Sequence, residues 1–335
     1  MTARTGEAAT ARASDVPVPK WARRHVLSTE DWSRDEIELV LENTGAMREI
    51  LSRPVRRAPP LRGRTVVLFF AEASTRTRVS FELAAKALSA DVVNISDRGS
   101  SVEKGETLLD TVRTLEALGG DVIVMRHGAS GAPYFVADRT SAAVINAGDG
   151  WHAHPTQGLL DAYTLQGALG DLEGKRVVIV GDVLHSRVAR SDIHTLLPLG
   201  ASITLSGPPT LIPSAWRCGA APAGVAYEPD LDRALDGADA VIALRIQRER
   251  AESGLLPSLR EYARVWGLTE ARVARMRPGA PVMHPGPMNE GVEIEAAVAH
   301  GARSLIETQV TNGVAVRMAL LYLLARTRPG PGGPG

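Results

Sequence analysis

Short apolar runs that read as buried strands alternate with helical stripes along most of this chain, and that rhythm leaves few folds open. Thr65-Val66-Val67-Leu68-Phe69-Phe70 has no polar alternation and reads as a strand covered on both faces. After it, Val79, Leu83, Ala84, Ala87 and Leu88 recur at helical spacing, the apolar stripe of an amphipathic helix. Val92-Val93-Asn94-Ile95 is a short strand, and Gly105 to Leu118 is mostly helical. Strands follow at Val122-Ile123-Val124-Met125, ending at Arg126-His127, and at Ala143-Val144-Ile145-Asn146. The second half repeats the pattern, with strands expected at 176–180, 202–205 and 239–244. Upstream, Ser33 and Glu36 form a capping box that opens a helix through Ile37, Leu41 and Met47. The class is α/β: two domains, each a parallel sheet flanked by helices. A length of 335 residues suits two cores, with the boundary expected near 150–160.

Composition narrows the partners. Formal net charge is zero, so no bulk attraction to nucleic acid or an anionic membrane is expected, and any anion site must be local. No apolar run is long enough to span a bilayer. Cys218 is the single cysteine, which rules out an internal disulfide and favours a cytoplasmic setting. Residues 1–20, rich in Ala, Thr and Arg, read as a disordered tail rather than a transit peptide, because Glu7 and Asp15 interrupt the basic character. The Pro-Gly-rich end reads as a second tail.

In parallel sheets ligands bind beyond the carboxyl ends of the strands. The polar clusters of this chain lie there: Ser74 to Arg78, Arg126, Asp182 to Arg187, Arg245 and His284. Ser74, Thr75, Arg76, Thr77 and Arg78 stand between strand and helix, where free N–H groups and the helix dipole favour an anion. Ser and Thr there are also ordinary N-caps, and both readings stay open on that segment alone. Ser100 to Thr107 is a polar loop that is either simply solvated or brings Lys104, one of only four lysines, over a phosphate. His152 and His154 lack the spacing and companions of a metal site, so no metal or other cofactor is expected. His154 suits a hydrogen bond to a carbonyl, with Gln157 beside it; a merely structural histidine fits equally. Val177 to Asp182 resembles the start of a dinucleotide fold but lacks G-x-G-x-x-G. Arg187 and Arg245 are either surface ion-pair formers or two forks for two carboxylates. Met283 to Asn289 offers backbone carbonyls on a Pro-Gly turn, and Asn312 to Met318 leads a final apolar helix read as core.

Together, Ser-Thr-Arg-Thr-Arg at 74–78, Lys-Gly-Glu-Thr at 104–107, His-Pro-Thr-Gln at 154–157, Arg-Ile-Gln at 245–247 and His-Pro-Gly-Pro at 284–287 resemble the aspartate/ornithine carbamoyltransferase family, from about Arg24 to Leu324. The Lys104 loop and His284 to Pro287 are similar to its aspartate branch; the His-Cys-Leu-Pro motif expected of the ornithine branch is absent. The resemblance implies transfer of a carbamoyl group from carbamoyl phosphate to L-aspartate, early in pyrimidine synthesis, without metal or covalent intermediate. It implies that Ser74, Thr75, Arg76 and Thr77 hold phosphate and that Thr77, Arg126 and His154 polarise the carbamoyl oxygen. Gln157 and the carbonyls of Pro285 and Gly286 would hold the carbamoyl nitrogen, and Arg187, Arg245 and Gln247 would orient aspartate. It further implies a homotrimer in which Ser100 and Lys104 reach a neighbour's site, with a regulatory or other pyrimidine-pathway chain as a possible partner. Some family members carry Leu where this chain has Gly286. The implied division is a carbamoyl phosphate domain at 21–152 completed by a C-terminal helix at 305–326, an aspartate domain at 153–304, and tails at 1–20 and 327–335. The rival readings are a carbamoyltransferase for another amino acid and a non-catalytic phosphate-ligand-binding assembly subunit.

Overall fold

The apolar runs pair in parallel into two sheets. The computed structural model describes residues 21–96, 107–246, 255–256 and 258–327. In the first sheet, β1 (Thr65–Phe70), β2 (Asp91–Ser96), β3 (Val122–His127) and β4 (Ala143–Asp149) lie in the order β2-β1-β3-β4. In the second, β5 (Arg176–Val180), β6 (Ser202–Ser206), β7 (Val225–Tyr227), β8 (Ala240–Ala243) and β9 (Val282–Met283) lie in the order β7-β6-β5-β8-β9. β1 sits inside its sheet, with Val67 opposite Val93 on β2 and Ile123 on β3, which is why its run carries no polar face. β5 occupies the same place in the second sheet, between β6 and β8.

The helices are α1 (Arg34–Ser52), α2 (Thr75–Ala87), α3 (Leu108–Ala117), α4 (Ala132–Ala137), α5 (Pro155–Leu169), α6 (Arg187–Leu196), α7 (Leu231–Leu235), α8 (Leu259–Trp266), α9 (Glu270–Val273), α10 (Ala296–Ala299) and α11 (Ile306–Arg326). The capping box of α1 forms as its sequence suggests: Ser33 Oγ accepts from Glu36 N at 3.2 Å, and Glu36 Oε2 accepts from Ser33 N at 2.9 Å.

Two expectations about α2 are corrected. α2 begins at Thr75, so Thr75 to Arg78 form its first turn rather than a linker before it. Its buried face is Phe81, Ala84, Ala85 and Ala87, with Leu88 at the cap, whereas Val79 and Leu83 are exposed. Both faces of this helix carry apolar residues, so spacing alone could not choose between them. The stretch from Gly105 to Leu118, expected to be mostly helical, holds α3 from Leu108 to Ala117, capped by Thr107 Oγ1 accepting from Asp110 N.

Each sheet has a switch point where the strand order reverses, between β1 and β3 in the first and between β5 and β8 in the second. Strands diverge there, and the loops that leave them open a crevice at their carboxyl ends. α5 runs between the sheets. It packs on α6 and α11 and is buried nearly all round, as a helix covered by neighbours must be. α11 returns to pack on α1, α2 and α5, burying Leu320, Leu321, Leu323 and Leu324. One apolar core therefore contains residues of both sheets, Val66 and Leu68 with Val177 and Ile179.

The α5–α6 approach is close because Gly158 faces α6. A Cβ at Gly158 would stand 2.7 Å from Ser191 O and 2.7 Å from Thr195 Oγ1, while one at Gly167 on the same helix would meet nothing within 4 Å. Gly158→Ala is expected to destabilise by roughly 1–3 kcal/mol through overpacking. Gly167→Ala is expected to stabilise by up to about 1 kcal/mol through helix propensity. Urea unfolding midpoints of the two variants check both signs; equal shifts would refute the close seam.

Candidate functional site

Both switch points open onto one cavity of about 650 Å³. From the first sheet it receives Glu72, just after β1, the first turn of α2, and Arg126 on β3. From the second it receives Ser186 and Arg187 after β5, Arg245 after β8, and His284 to Pro287 after β9. His154 and Gln157 at the start of α5, and Gln309 and Arg317 of α11, complete the lining.

Ser74 is the N-cap of α2, yet its hydroxyl makes no capping bond and stays available to a ligand. Thr77 is buried and Arg76 is exposed to the cavity. Desolvation in the cleft, then the Arg245 charge, press the Arg76 pKa below its ordinary value. The Gly286 backbone sits at φ +60°, and a Cβ there would lie 2.9 Å from Arg76 Cζ. Glycine thus lets the Arg76 guanidinium lie against the loop.

Glu72 is the partner that sequence reading missed. Its carboxylate accepts from Arg126 Nη2 at 2.6 Å and from Arg187 Nη2 at 2.5 Å and Nη1 at 3.0 Å. The two guanidiniums also donate to backbone carbonyls, Arg126 to Ala147 O at 3.2 Å and Arg187 to Gly150 O at 3.2 Å. A Glu at a strand end gives no sequence signal of which arginines it will meet, here 54 and 115 residues away.

The histidines of the cavity are neutral. His154 caps α5, with its N–H donating to Ser191 Oγ at 2.8 Å. Burial, then the charges of Arg126, Arg187 and Arg317, hold its pKa well below the ordinary value. His284 is pushed down to about 3 by burial and by Arg76 and Arg245. His284 Nδ1 accepts from Gly286 N at 2.8 Å, which assigns its proton to Nε2. His152 behaves oppositely: it pairs with Asp149 at 3.0 Å, and that hydrogen bond raises its pKa. It is therefore part of a turn, not of the cavity.

Beneath the floor lies a carboxyl pair. Asp161 on α5 and Asp192 on α6 are both wholly buried. Asp161 accepts from Gln157 Nε2 at 3.1 and 3.2 Å and from Gln309 Nε2 at 2.6 Å. Neither Asp192 oxygen meets a nitrogen or hydroxyl donor, and burial together with the Asp161 charge holds its carboxyl well above the usual range. Burial raises the Asp161 carboxyl as well, to about 6, and two buried carboxyls beside each other cannot both ionise readily, so the pair as a unit holds a proton above the ordinary carboxylate range. Arg317 is buried nearby, donating to Ser80 Oγ at 2.9 Å and stacked 5.1 Å from the Phe81 ring centroid. Read from sequence as core, Arg317 is instead a cation of the cavity wall.

The structure thus brings together Ser74, Thr75, Arg76, Thr77, Arg126, His154, Gln157, Arg187, Arg245, Pro285 and Gly286. Ser100, Lys104 and Gln247 lie outside the described residues, as do residues 1–20 and 328–335. Among the described residues no group of three or more His, Cys, Asp or Glu side chains comes close enough to hold a metal ion, and no helix is long and apolar enough to cross a membrane.

Residues 24–167 match the family described as aspartate/ornithine carbamoyltransferase, carbamoyl-P binding domain, and residues 173–324 match its Asp/Orn binding domain. The aspartate carbamoyltransferase catalytic subunit of Chloroflexus aurantiacus is 60% identical over 305 residues, covering 90% of this chain and 98% of that protein. The corresponding subunit of a Roseiflexus species is 58% identical over 305 residues, 90% of this chain and 95% of that protein. Among solved structures, aspartate transcarbamoylase of Trypanosoma cruzi with carbamoyl aspartate and phosphate superimposes with a TM-score of 0.81 at 28% identity, covering 92% of this chain and 98% of that one. The catalytic subunit of M. jannaschii aspartate transcarbamoylase gives 0.78 at 32% identity, over 91% and 98%.

The carboxyl pair makes a pH prediction. Because the folded Asp192 pKa is raised, the native chain holds more protons than the unfolded chain between the two values. Its contribution to stability therefore falls as pH rises through that window. Asp192→Asn keeps a donor toward Asp161 but cannot ionise. Its urea midpoint is expected to gain on that of the unsubstituted chain between pH 5 and pH 8; parallel midpoints would refute a raised Asp192 pKa.

Proposed function

The chain belongs to the aspartate/ornithine carbamoyltransferase family, and from that premise we propose how its cavity works. The chain transfers the carbamoyl group of carbamoyl phosphate to the amine of L-aspartate, giving N-carbamoyl-L-aspartate and phosphate, a step of pyrimidine synthesis. The observation that carries the reading is one cavity where a helix N-terminus, neutral His154 and guanidiniums from both sheets converge.

In this reading Ser74, Thr75, Arg76 and Thr77 take the phosphate on the α2 N-terminus, where free N–H groups and the dipole favour an anion. Arg76 neutralises charge gathering on the departing phosphate. Thr77, Arg126 and His154 polarise the carbamoyl oxygen as the tetrahedral centre forms; His154 does so as a neutral imidazole. Gln157 and the carbonyls of Pro285 and Gly286 hold the carbamoyl nitrogen. Arg187, Arg245 and Gln247 orient aspartate by its carboxylates and bring the amine to attack distance. Residues 21–152, with α11, serve carbamoyl phosphate, and residues 153–304 serve aspartate.

The working unit in this reading is a cytoplasmic homotrimer with sites shared across interfaces, Ser100 and Lys104 serving a neighbouring chain. Exposed Val79 and Leu83, one turn apart on α2, support an apolar contact between subunits. A regulatory or other pathway chain belongs to the same reading as a further partner.

Release of phosphate from carbamoyl phosphate with aspartate, against ornithine and other amino acids, tests the function; faster turnover of another amine would overturn the aspartate assignment. Arg76→Ala is expected to lower kcat by on the order of 10²–10³ with unchanged circular dichroism; near-normal kcat would remove its role. Mixing Lys104→Ala chains with Arg76→Ala chains is expected to restore activity through hybrid trimers. No rescue after subunit exchange verified by native mass spectrometry would count against shared sites.

A further inference from the structure

Gln157 lines the cavity, and its amide can present either an acceptor or donors there. The structure decides which. Asp161 takes Gln157 Nε2 at 3.1 and 3.2 Å, and a carboxylate offers only acceptors to an amide. The Gln157 amide oxygen is therefore left for the cavity. The same carboxylate takes Gln309 Nε2 at 2.6 Å, and Gln309 Oε1 in turn accepts from His284 N at 3.0 Å. Gln309 thus ties the start of the His284 to Gly286 loop to the same buried group. His284 Nδ1 then fixes Gly286 N at 2.8 Å, so the loop's backbone direction follows from the same chain of bonds.

We propose that Asp161 is a positioning residue that makes the cavity selective for an acyl phosphate carrying an N–H donor. It holds Gln157 with its oxygen inward and, through Gln309, anchors the loop that offers the Pro285 and Gly286 carbonyls. Acceptors on two different elements thereby depend on one buried carboxylate, which does not itself line the cavity. An acyl phosphate with a methyl group where carbamoyl phosphate has its NH₂ has nearly the same shape and phosphate but leaves these acceptors unpaired. Buried polar groups left without partners are what allow a site to reject such an analogue.

This inference rests on the function proposed above, which the unsubstituted chain tests by itself: no carbamoyl transfer to aspartate would overturn that reading. The selectivity is tested by comparing the KM of carbamoyl phosphate with the inhibition constant of acetyl phosphate. In Asp161→Asn the new amide can turn donors toward Gln157 and rotate it. The expected result is a KM for carbamoyl phosphate raised tenfold or more, with the acetyl phosphate constant within twofold of the unsubstituted value. An equal loss for both anions, or no change in either, would overturn the proposal. Should Asp161→Asn fail to fold, the unsubstituted chain still decides. Its Gln157 carboxamide protons, assigned by their loss in Gln157→Leu, are expected to resist solvent exchange with and without carbamoyl phosphate. Fast exchange in either state would show that Asp161 does not hold the amide.

Discussion

One carboxylate joins the two halves of this molecule at their working ends. Glu72 leaves β1 at the first switch point and meets Arg126 from its own sheet and Arg187 from the other. All three side chains are largely shielded, at 21%, 11% and 10% exposure. Water screens such a group poorly, so the contacts weigh more than a surface ion pair would. Without Glu72 two largely buried guanidiniums would face each other uncompensated, which opposes closure of the crevice. The relative placement of the sheets' carboxyl ends is thus set by charge, while their bodies are set by apolar packing.

That packing has a definite spine. α5 can lie between the sheets because Gly158 admits α6 and because α11 covers its other side. Burial on all sides excludes water from any polar group it carries, so its polar residues must find protein partners. Asp161 does so with Gln157 and Gln309; Thr164 Oγ1 donates to Leu160 O and accepts from Asn312 Nδ2 at 2.9 Å. The helix that starts at His154 therefore delivers its first turn to the cavity from a rigid base.

Much of this was legible in the chain. β1, β3, β5 and β8 stand out because central parallel strands read as unbroken apolar runs, and residues at their ends fall at the crevice by topology. Edge strands β7 and β9 did not stand out: with three and two residues they carry no period to detect. The face of α2 was misread because Val79 and Leu83 are as apolar as Phe81 and Leu88, and only tertiary contact separates them. Glu72, Asp161, Gln309 and Arg317 escaped notice for a shared reason. Each is defined by a partner far away in sequence: Gln309 meets Asp161 across 148 residues, and Arg317 meets Ser80 across 237. Polar residues inside helices have no local mark that distinguishes a buried network from a solvated face.

The cavity wall carries five arginines, at 76, 126, 187, 245 and 317, against one carboxylate, Glu72, among the described residues. Its histidines at 154 and 284 add no charge, since both are held neutral. Five minus one leaves a lining charge of about +4 in a chain whose formal net charge is zero, so the remainder of the molecule carries the balancing negative charge. Such an arrangement acts as a lens. At long range an anion meets a neutral body; close to the mouth it enters a field concentrated by low-dielectric walls. Capture of a small dianion is therefore an ionic-strength-dependent encounter, quickened in dilute buffer and slowed as salt shortens the reach of the field from tens of ångströms to a few.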